Sequence, residues 1–456
     1  MDILLINPWI YDFKAYDFWL KPLGLLYIAS ILRDNGFNIK IIDCLNRYHP
    51  ALKDKKLKTT EWGTGKFYYE EIEKPDIYKN VPRKYKRYGL PIEILYNELN
   101  KILKPNLIMI TSIMTYWYPA PFHIIKILKS IFPDVPIILG GIYTTLCYEH
   151  AKMYSGADFV FKGRNLKDIV NLVNNILNLK KIPNIPEEPP YPAYDLLENF
   201  NQVRYVPILT SFGCPYNCSY CASSILYDRF YQRNPLSVVK EIEYYVQRWG
   251  IKNIAFYDDA LLINYDKHLG VILNLLKQRN IKLFFHTPNG LHVKFITQKV
   301  AEELFESGFK TIRLGFETSY PNRQKQTGNK VTNDDFKKAL NNLIKAGFTA
   351  QELGVYVMIG LPGQKYDEII DSIQFVHDCG SKVRLAQFSP IPGTYEWKKF
   401  IITISDYVDR NRNIELIDPL IYNNTIYRYF SYEITKEQVN IIEQKVKELN
   451  LNLGIL

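Results

Sequence analysis

The chain has 456 residues, 47% hydrophobic and 23% charged, with 57 Lys and Arg against 47 Asp and Glu for a formal net charge of +10. That length supports two or three domains with separate cores, and no stretch approaches the roughly 20 uninterrupted apolar residues of a membrane span. Six cysteines in so long a chain argue against a disulfide scaffold and for a reducing compartment; with no basic n-region after Met1 to mark a secretory signal, the expectation is a cytoplasmic protein.

The excess of basic residues raises the question of a nucleic-acid or acidic-membrane partner. Lys, Ile, Asn and Tyr are all abundant, however, a bias that an AT-rich genome produces, so nucleic acid is not the expected partner.

Residues 1–180 alternate strand and helix signals, the pattern of a doubly wound, Rossmann-like parallel sheet. Strands are predicted at Ile3–Asn7, Asn38–Asp43, Asn106–Thr111, Pro136–Gly140 and Asp158–Lys162, each a short apolar run of the kind covered on both faces. Between the first two, Leu23, Leu26, Tyr27, Ile28 and Ile31 recur at helical spacing, and Gly36 stands where a C′ glycine ends a helix. A second helix is expected around Phe122–Ile131. In such folds ligands bind beyond the strands' carboxyl ends, where Asn7-Pro8-Trp9, Thr111-Ser112 and Gly140-Gly141 converge.

The connection 47–100 is far longer than α/β units need. It interleaves basic and aromatic residues, as in Arg83-Lys84-Tyr85-Lys86-Arg87-Tyr88. Such runs bind single-stranded nucleic acid in some proteins; a solvated lid or an extra helix pair is the commoner meaning and the expectation. Gly63-Thr64-Gly65-Lys66 lacks the spacing of a phosphate loop. Residues 181–200 open with five prolines and no periodicity, a semi-rigid linker between domains.

The strand predicted at Val206–Ser211 delivers the run Gly213-Cys214-Pro215-Tyr216-Asn217-Cys218-Ser219-Tyr220-Cys221. Three cysteines at CxxxCxxC spacing can hold three irons of a cuboidal cluster and leave the fourth open, whereas most clusters are closed by four thiolates. The alternatives are a structural zinc knot, which needs a fourth ligand that no neighbouring Cys or His supplies, and an ordinary electron-transfer cluster. The run resembles the cluster loop of the radical S-adenosylmethionine (radical SAM) enzymes. The resemblance implies a [4Fe-4S] cluster on Cys214, Cys218 and Cys221, S-adenosyl-L-methionine chelating the open iron, Tyr220 beside it, and a 5′-deoxyadenosyl radical. Cys44, Cys147 and Cys379 are expected to be small buried residues.

Further strands are predicted at Asn253–Tyr257, Lys282–His286, Thr311–Phe316, Gly354–Ile359 and Val383–Phe388. Six such repeats over 201–397 resemble the partial (β/α)6 barrel of that family, whose chemistry gathers at the strands' C-terminal ends. The resemblance assigns S-adenosylmethionine contacts to the acidic pair Asp258-Asp259, with a helix N-cap as the plainer reading, to Asn289 after the third strand, to Arg313 and Glu317 on one face of the fourth, and to Gly360 in the turn after the fifth. Gln364 stands where some members have Glu. Phe388-Ser389-Pro390-Ile391-Pro392-Gly393-Thr394 resembles the closing loop of the cobalamin-dependent branch. Residues 398–456 are expected to form an α-rich cap ending in an amphipathic helix, Lys436–Leu449.

In this setting residues 1–180 resemble the cobalamin-binding domain that precedes many radical SAM barrels. Asn7, Pro8, Thr111, Ser112, Gly140 and Gly141 then become candidate cobalamin contacts. The DxHxxG run that supplies a histidine to cobalt in one class of these domains is missing. The expected activity is methylation of an unactivated carbon of a small-molecule or peptide substrate, with ferredoxin or flavodoxin as reductant. Three readings stand beside it: a cobalamin-dependent rearrangement or cyclisation without methyl transfer; a tRNA methylthiotransferase, disfavoured because too few cysteines remain for a second cluster; and, outside enzymes, an electron carrier or cobalamin sensor.

Overall fold

The computed structural model describes residues 1–404, 414–426 and 433–453. The chain divides into two compact units, Met1–Arg204 with Val408–Tyr422, and Tyr205–Tyr407 with Asn423–Leu456.

In the first unit β1 (Asp2–Asn7), β2 (Asn38–Asp43), β3 (Leu107–Ile110), β4 (Ile137–Leu139) and β5 (Phe159–Val160) form one parallel sheet in the order β2-β1-β3-β4-β5. Ile3 through Ile6 are at most 1% exposed, so both faces of β1 are covered, and each fully buried side chain contributes about 1.5–3 kcal/mol. The helix Leu23–Asp34 packs Leu25, Ala29 and Leu32 against Ile3 and Leu5. It ends at Asn35, and Gly36 follows at φ +84°, the left-handed position its place in the sequence predicts. The 2-1-3-4-5 order places the topological switch point between β1 and β3.

The connection 47–100 corrects an expectation, because it does not form a helix pair. Tyr69–Glu71 and Lys86–Tyr88 join Ile10–Asp12 in a three-stranded antiparallel sheet, and one helix, Ile92–Asn100, leads to β3. Part of its basic and aromatic content is spent inside the unit. Arg87 pairs with Glu70 and lies over the Trp9 ring at 5.1 Å, while the buried Tyr85 and Tyr88 hydroxyls donate to the carbonyls of Tyr11 and Phe13 at 3.1 Å each.

The proline-rich segment also packs onto this unit. Ser30 Oγ donates to Tyr191 O at 2.5 Å, the amide of Ala193 to Leu26 O at 3.2 Å, and Tyr194 is fully buried. The described part of 408–422 belongs here as well, held by hydrogen bonds from Tyr78 to Leu420 O and from Tyr118 to Asp418, both 2.9 Å. The tail from 398 is therefore divided between the two units.

In the second unit β6 (Tyr205–Ile208), β7 (Asn253–Phe256), β8 (Phe284–His286), β10 (Phe309–Glu317), β11 (Leu353–Ile359) and β12 (Lys382–Gln387) form a parallel sheet in sequence order, and the short β9 (Leu291–His292) pairs with β10. β6 and β12 are its two edges, so the sheet is open, as in a partial (β/α)6 barrel. β6 stops at Ile208, short of the predicted Ser211, because the buried Asp258 carboxylate accepts from the Thr210 amide at 3.0 and 3.2 Å. Ser211–Phe212 then turns into a two-stranded ribbon with Tyr231–Gln232.

The helix Lys436–Asn452 starts in a capping box between Thr435 and Gln438 and buries Val439, Ile442 and Val446. Its Asn450 accepts from Val383 N and donates to Val383 O, both at 2.9 Å, clasping the edge strand β12.

Candidate functional site

The cysteine run is an irregular loop between the ribbon and the short helix Ser223–Leu226. Gly213 opens it at φ +77°, where a Cβ would meet Arg229 O at 3.0 Å. The loop is pinned by neighbours distant in sequence: Ser219 N donates to Thr327 O (3.3 Å), Ser219 Oγ to Glu396 (2.8 Å), and a Cβ on Gly328 would lie 3.1 Å from Cys218 Cα.

All three cysteines are free and partly exposed. Backbone amides aim at two of the sulfurs, Tyr216 N at Cys214 Sγ (3.5 Å) and Ser223 N at Cys221 Sγ (3.4 Å). Burial raises the pKa of every thiol in the set, that of Cys221 to about 11, so metal binding there releases protons.

These sulfurs do not gather round one point. Tetrahedral zinc with Zn–S near 2.3 Å needs sulfurs roughly 3.8 Å apart. Among the described residues the group of three ligand atoms lying within 4.8 Å of one another is instead His49, Glu98 and Glu198, in the first unit. There His49 Nδ1 accepts from the Ala51 amide (3.2 Å), and Nε2 lies 3.2 Å from Glu198 and 3.6 Å from Glu98.

Around the loop stand residues from the C-terminal ends of the sheet. Glu317, the last residue of β10, is a non-glycine at φ +71° and pairs with Lys330 at 2.8 Å. A side chain in this sparsely populated conformation is a strained position of the kind found at functional sites. Lys330 Nζ lies 5.6 Å from the Tyr220 ring centroid. Asn289 reaches back to the carbonyls of Tyr257 (2.8 Å) and Asp258 (3.3 Å), and Asp259 accepts from Ser223 Oγ at 2.8 Å.

Asp258 is placed differently from its neighbour. Its carboxylate also accepts from Thr210 Oγ1 at 2.7 Å and Ser211 Oγ at 2.6 Å, so it fixes the start of the cysteine run rather than facing outward. Gly360 sits at φ +88° with its amide on Gln364 Oε1 (2.9 Å), and Gln364 Nε2 donates to Met358 O (2.9 Å). An ionised Glu at 364 would lack that donor.

Sequence reasoning missed two residues here. Lys330 follows an unremarkable Gly-Asn turn, and His292 comes from β9. The His292 ring stacks on Tyr216 (centroids 4.9 Å apart) with Nε2 4.0 Å from Cys214 Sγ, and burial with Lys330 nearby pushes its pKa down to about 4.

In the first unit the switch point carries a shallow cleft lined by Asn7, Pro8, Trp9, Ser112, Trp117 and Pro121 among others. Asn7 Nδ2 donates to Asp43 (2.6 Å), and Ser112 Oγ to Gly140 O (2.7 Å). Thr111 N donates to Ile6 O at 3.2 Å, which ties β3 to β1 beneath the cleft. Gly141, at φ +110°, lies so near Ser112 that a Cβ would come within 2.1 Å of its carbonyl oxygen, whereas a Cβ on Gly140 would meet only Phe161 at 3.9 Å. Gly141 thus permits the β3 and β4 loops to pack, and Gly140 leaves room beside its backbone.

Residues 208–376, which include every cluster cysteine and the Glu317–Lys330 pair, match the family model of the radical SAM superfamily. The chain carries a radical SAM domain. An uncharacterised methyltransferase of Pyrococcus horikoshii is 27% identical over 434 residues, 88% of this chain and 83% of the relative. The bacteriochlorophyllide d C-12(1)-methyltransferase of Chlorobaculum tepidum is 25% identical over 200 residues, 41% of each chain.

Among solved structures, the radical SAM methyltransferase TsrM of Kitasatospora setae aligns at TM-score 0.64 with 15% identity, covering 93% of this chain and 83% of that one. The cobalamin-dependent radical enzyme OxsB aligns at 0.60 with 14% identity, covering 89% and 55%. The radical SAM domain and the α/β unit before it therefore share the fold of those two proteins. Among the described residues no helix is long and apolar enough to cross a membrane.

Proposed function

We propose that the chain is a cobalamin-dependent radical SAM methyltransferase acting on an unactivated carbon of a small molecule or peptide. The observation that carries this reading is the pairing of two sites in one chain, a three-thiol loop at the C-terminal ends of an open parallel sheet and a cleft at the switch point of a doubly wound one. When bound, the cluster and S-adenosylmethionine supply a radical that takes hydrogen from carbon, and cobalamin supplies the methyl group.

Cys214, Cys218 and Cys221 would hold the cluster. Tyr220, Asp259, Asn289, Glu317 and Gly360 stand close to that loop or at strand ends, where they would orient S-adenosylmethionine; Arg313 lies four residues, ~13 Å, deeper on the strand that ends in Glu317 and is not one of that set. Asp258 acts on that ligand through Thr210 and Ser211. Asn7, Pro8, Thr111, Ser112, Gly140 and Gly141 border the edge that would receive cobalamin. An electron donor such as ferredoxin or flavodoxin completes the cycle.

The test begins with oxygen-free purification, reconstitution with iron, sulfide and hydroxocobalamin, desalting, and measurement of cobalt and iron per chain. One cobalt with about four irons, the content of a single cubane, is the expected result. Formation of both deoxyadenosine and S-adenosylhomocysteine then marks methyl transfer, while deoxyadenosine alone points to the non-methylating class. Four irons without cobalt would refute the cobalamin assignment.

A further inference from the structure

The side of the second sheet away from its helices is polar. Phe316 stacks on Phe336 and Phe375 of the helices Asn333–Lys345 and Tyr366–Asp378 (centroids 4.3 and 5.6 Å), so Ile312, Leu314 and Phe316 face the helices and Arg313, Gly315 and Glu317 face the other way. Across the register Arg313 pairs with Gly354, Gly354 with Lys382, and Tyr356 with Arg384. Paired residues of a sheet share a face, which puts three cations together on the polar side. A Cβ on Gly354 would come within 3.1 Å of Arg313 Nη1 and 3.2 Å of Arg384 Cγ, so both arginines run over this one glycine.

Among the described residues these cations have no carboxylate partner. Arg313 is only 8% exposed, and Nη1 donates to the carbonyl of its own neighbour Ile312 at 3.1 Å. Neither it nor Lys382 nor Arg384 is ion-paired among the described residues, whereas the buried cations Arg47, Arg233, Arg323 and Lys330 each hold a carboxylate. Tyr356 donates its hydroxyl to Pro288 O (2.8 Å), and His286 is kept neutral by burial, its pKa pushed down to about 3. Glu317, the acid on the same strand face, is taken by Lys330 and lies four residues on, ~13 Å at 3.3 Å per residue. Desolvation and the proximity of Arg384 both lower the pKa of Arg313. A buried guanidinium held only by the Ile312 carbonyl and the Tyr356 hydroxyl, with no carboxylate beside it, is costly and open to an anionic ligand, and Arg384 is exposed, so the pair has an open side.

We propose that Arg313, Lys382 and Arg384 form a subsite for an oxyanion, a carboxylate or a phosphate, carried by the substrate. The inference rests on reading the second unit as the catalytic one and adds a substrate class: the molecule that enters is anionic at one end, and the arginines grip that end by paired hydrogen bonds with the carbon to be attacked directed toward the cysteine loop.

The experiment is calorimetric titration of the reconstituted full-length protein with inorganic phosphate, with benzoate and with the uncharged benzamide, on wild type, Arg384→Gln and Lys382→Gln. Arg384 is exposed and Lys382 half-exposed, so both substitutions leave the buried core untouched. The expected result is binding of at least one anion but not of benzamide, weakened at least tenfold in both variants, with S-adenosylmethionine affinity changed less than twofold. Preference for phosphate or for benzoate identifies the oxyanion. Equal anion binding in wild type and variants, or no anion binding at all, overturns the proposal. So does loss of S-adenosylmethionine affinity in step with the anion, which would make this the cofactor's own carboxylate site. Titration needs no turnover, so failure of methyl transfer or of cobalt retention refutes the proposed activity and leaves the subsite standing.

Discussion

At the scale of single residues, Glu317 and Lys330 bear most directly on how the site is held. The two side chains are 12% and 15% exposed and 2.8 Å apart, so each is the other's compensation for lost hydration. Replacing Glu317 by Gln strands a buried ammonium, and chemical denaturation should show a loss of about 3–5 kcal/mol. Lys330→Met strands the carboxylate and should cost a similar amount, while the double substitution should cost well below the sum of the two. Additive losses would show that the pair is not coupled. Neither partner's place here was equally legible in the sequence. Glu317 was found because its strand alternates visibly, whereas Lys330 arrives on a loop whose approach depends on Gly328 and on three-dimensional contact with Cys218. The cysteines were legible because all three ligands sit in one short loop. Asp258 and Asp259 looked equivalent in sequence; only the backbone bend after Ile208 separates a carboxylate bound to Thr210 and Ser211 from one that reaches Ser223.

At the scale of elements, the strands of both sheets were readable to within a few residues, since a strand buried on both faces is a compact apolar run bounded by polar turns. The connection 47–100 was not, because its strands are three residues long and are defined by pairing with Ile10–Asp12, which no local pattern records. Nor did the pattern reveal that the polar side of β7, β8 and β10 is crossed by a hydrogen-bonded chain. Asn253 Oδ1 accepts from His286 Nε2 (3.0 Å), and His286 Nδ1 accepts from the Thr311 hydroxyl (2.9 Å). Burial lowers the pKa of His286 to about 3, below its ordinary value near 6.5. Between those values the unfolded chain binds a proton that the folded chain refuses, so this group's contribution is complete above pH 6.5 and is lost progressively as pH falls toward 3. Denaturation midpoints measured from pH 7 to pH 4.5 should therefore fall more steeply for wild type than for His286→Gln. Parallel curves would mean that the imidazole is not held neutral. At the sheet's edge, Asn450→Ala should cost about 1 kcal/mol and speed hydrogen exchange at the Val383 amide, whose partner it removes; unchanged exchange would show that the helix Lys436–Asn452 does not guard that strand.

At the scale of the whole molecule, the cluster ligands and the candidate cobalamin contacts fall in different compact units, each with its own sheet and core. If each unit builds its cofactor site from its own residues, damage to one site should leave retention at the other intact. Gly141→Ala is the sharper probe of the first unit. Its added Cβ would fall 2.1 Å from Ser112 O at a φ of +110°, so the β3 and β4 loops must part and distort the switch-point cleft. Cys214→Ala is the matching probe of the second, since it removes a thiol without touching the sheet. After anaerobic reconstitution, Gly141→Ala should keep its iron and lose most of its cobalt, and Cys214→Ala should keep its cobalt and lose most of its iron, both read by elemental analysis per chain. Loss of both metals in either variant would mean that one unit's site depends on the other being filled. Cobalt retained in full by Gly141→Ala would move cobalamin away from the switch-point cleft altogether.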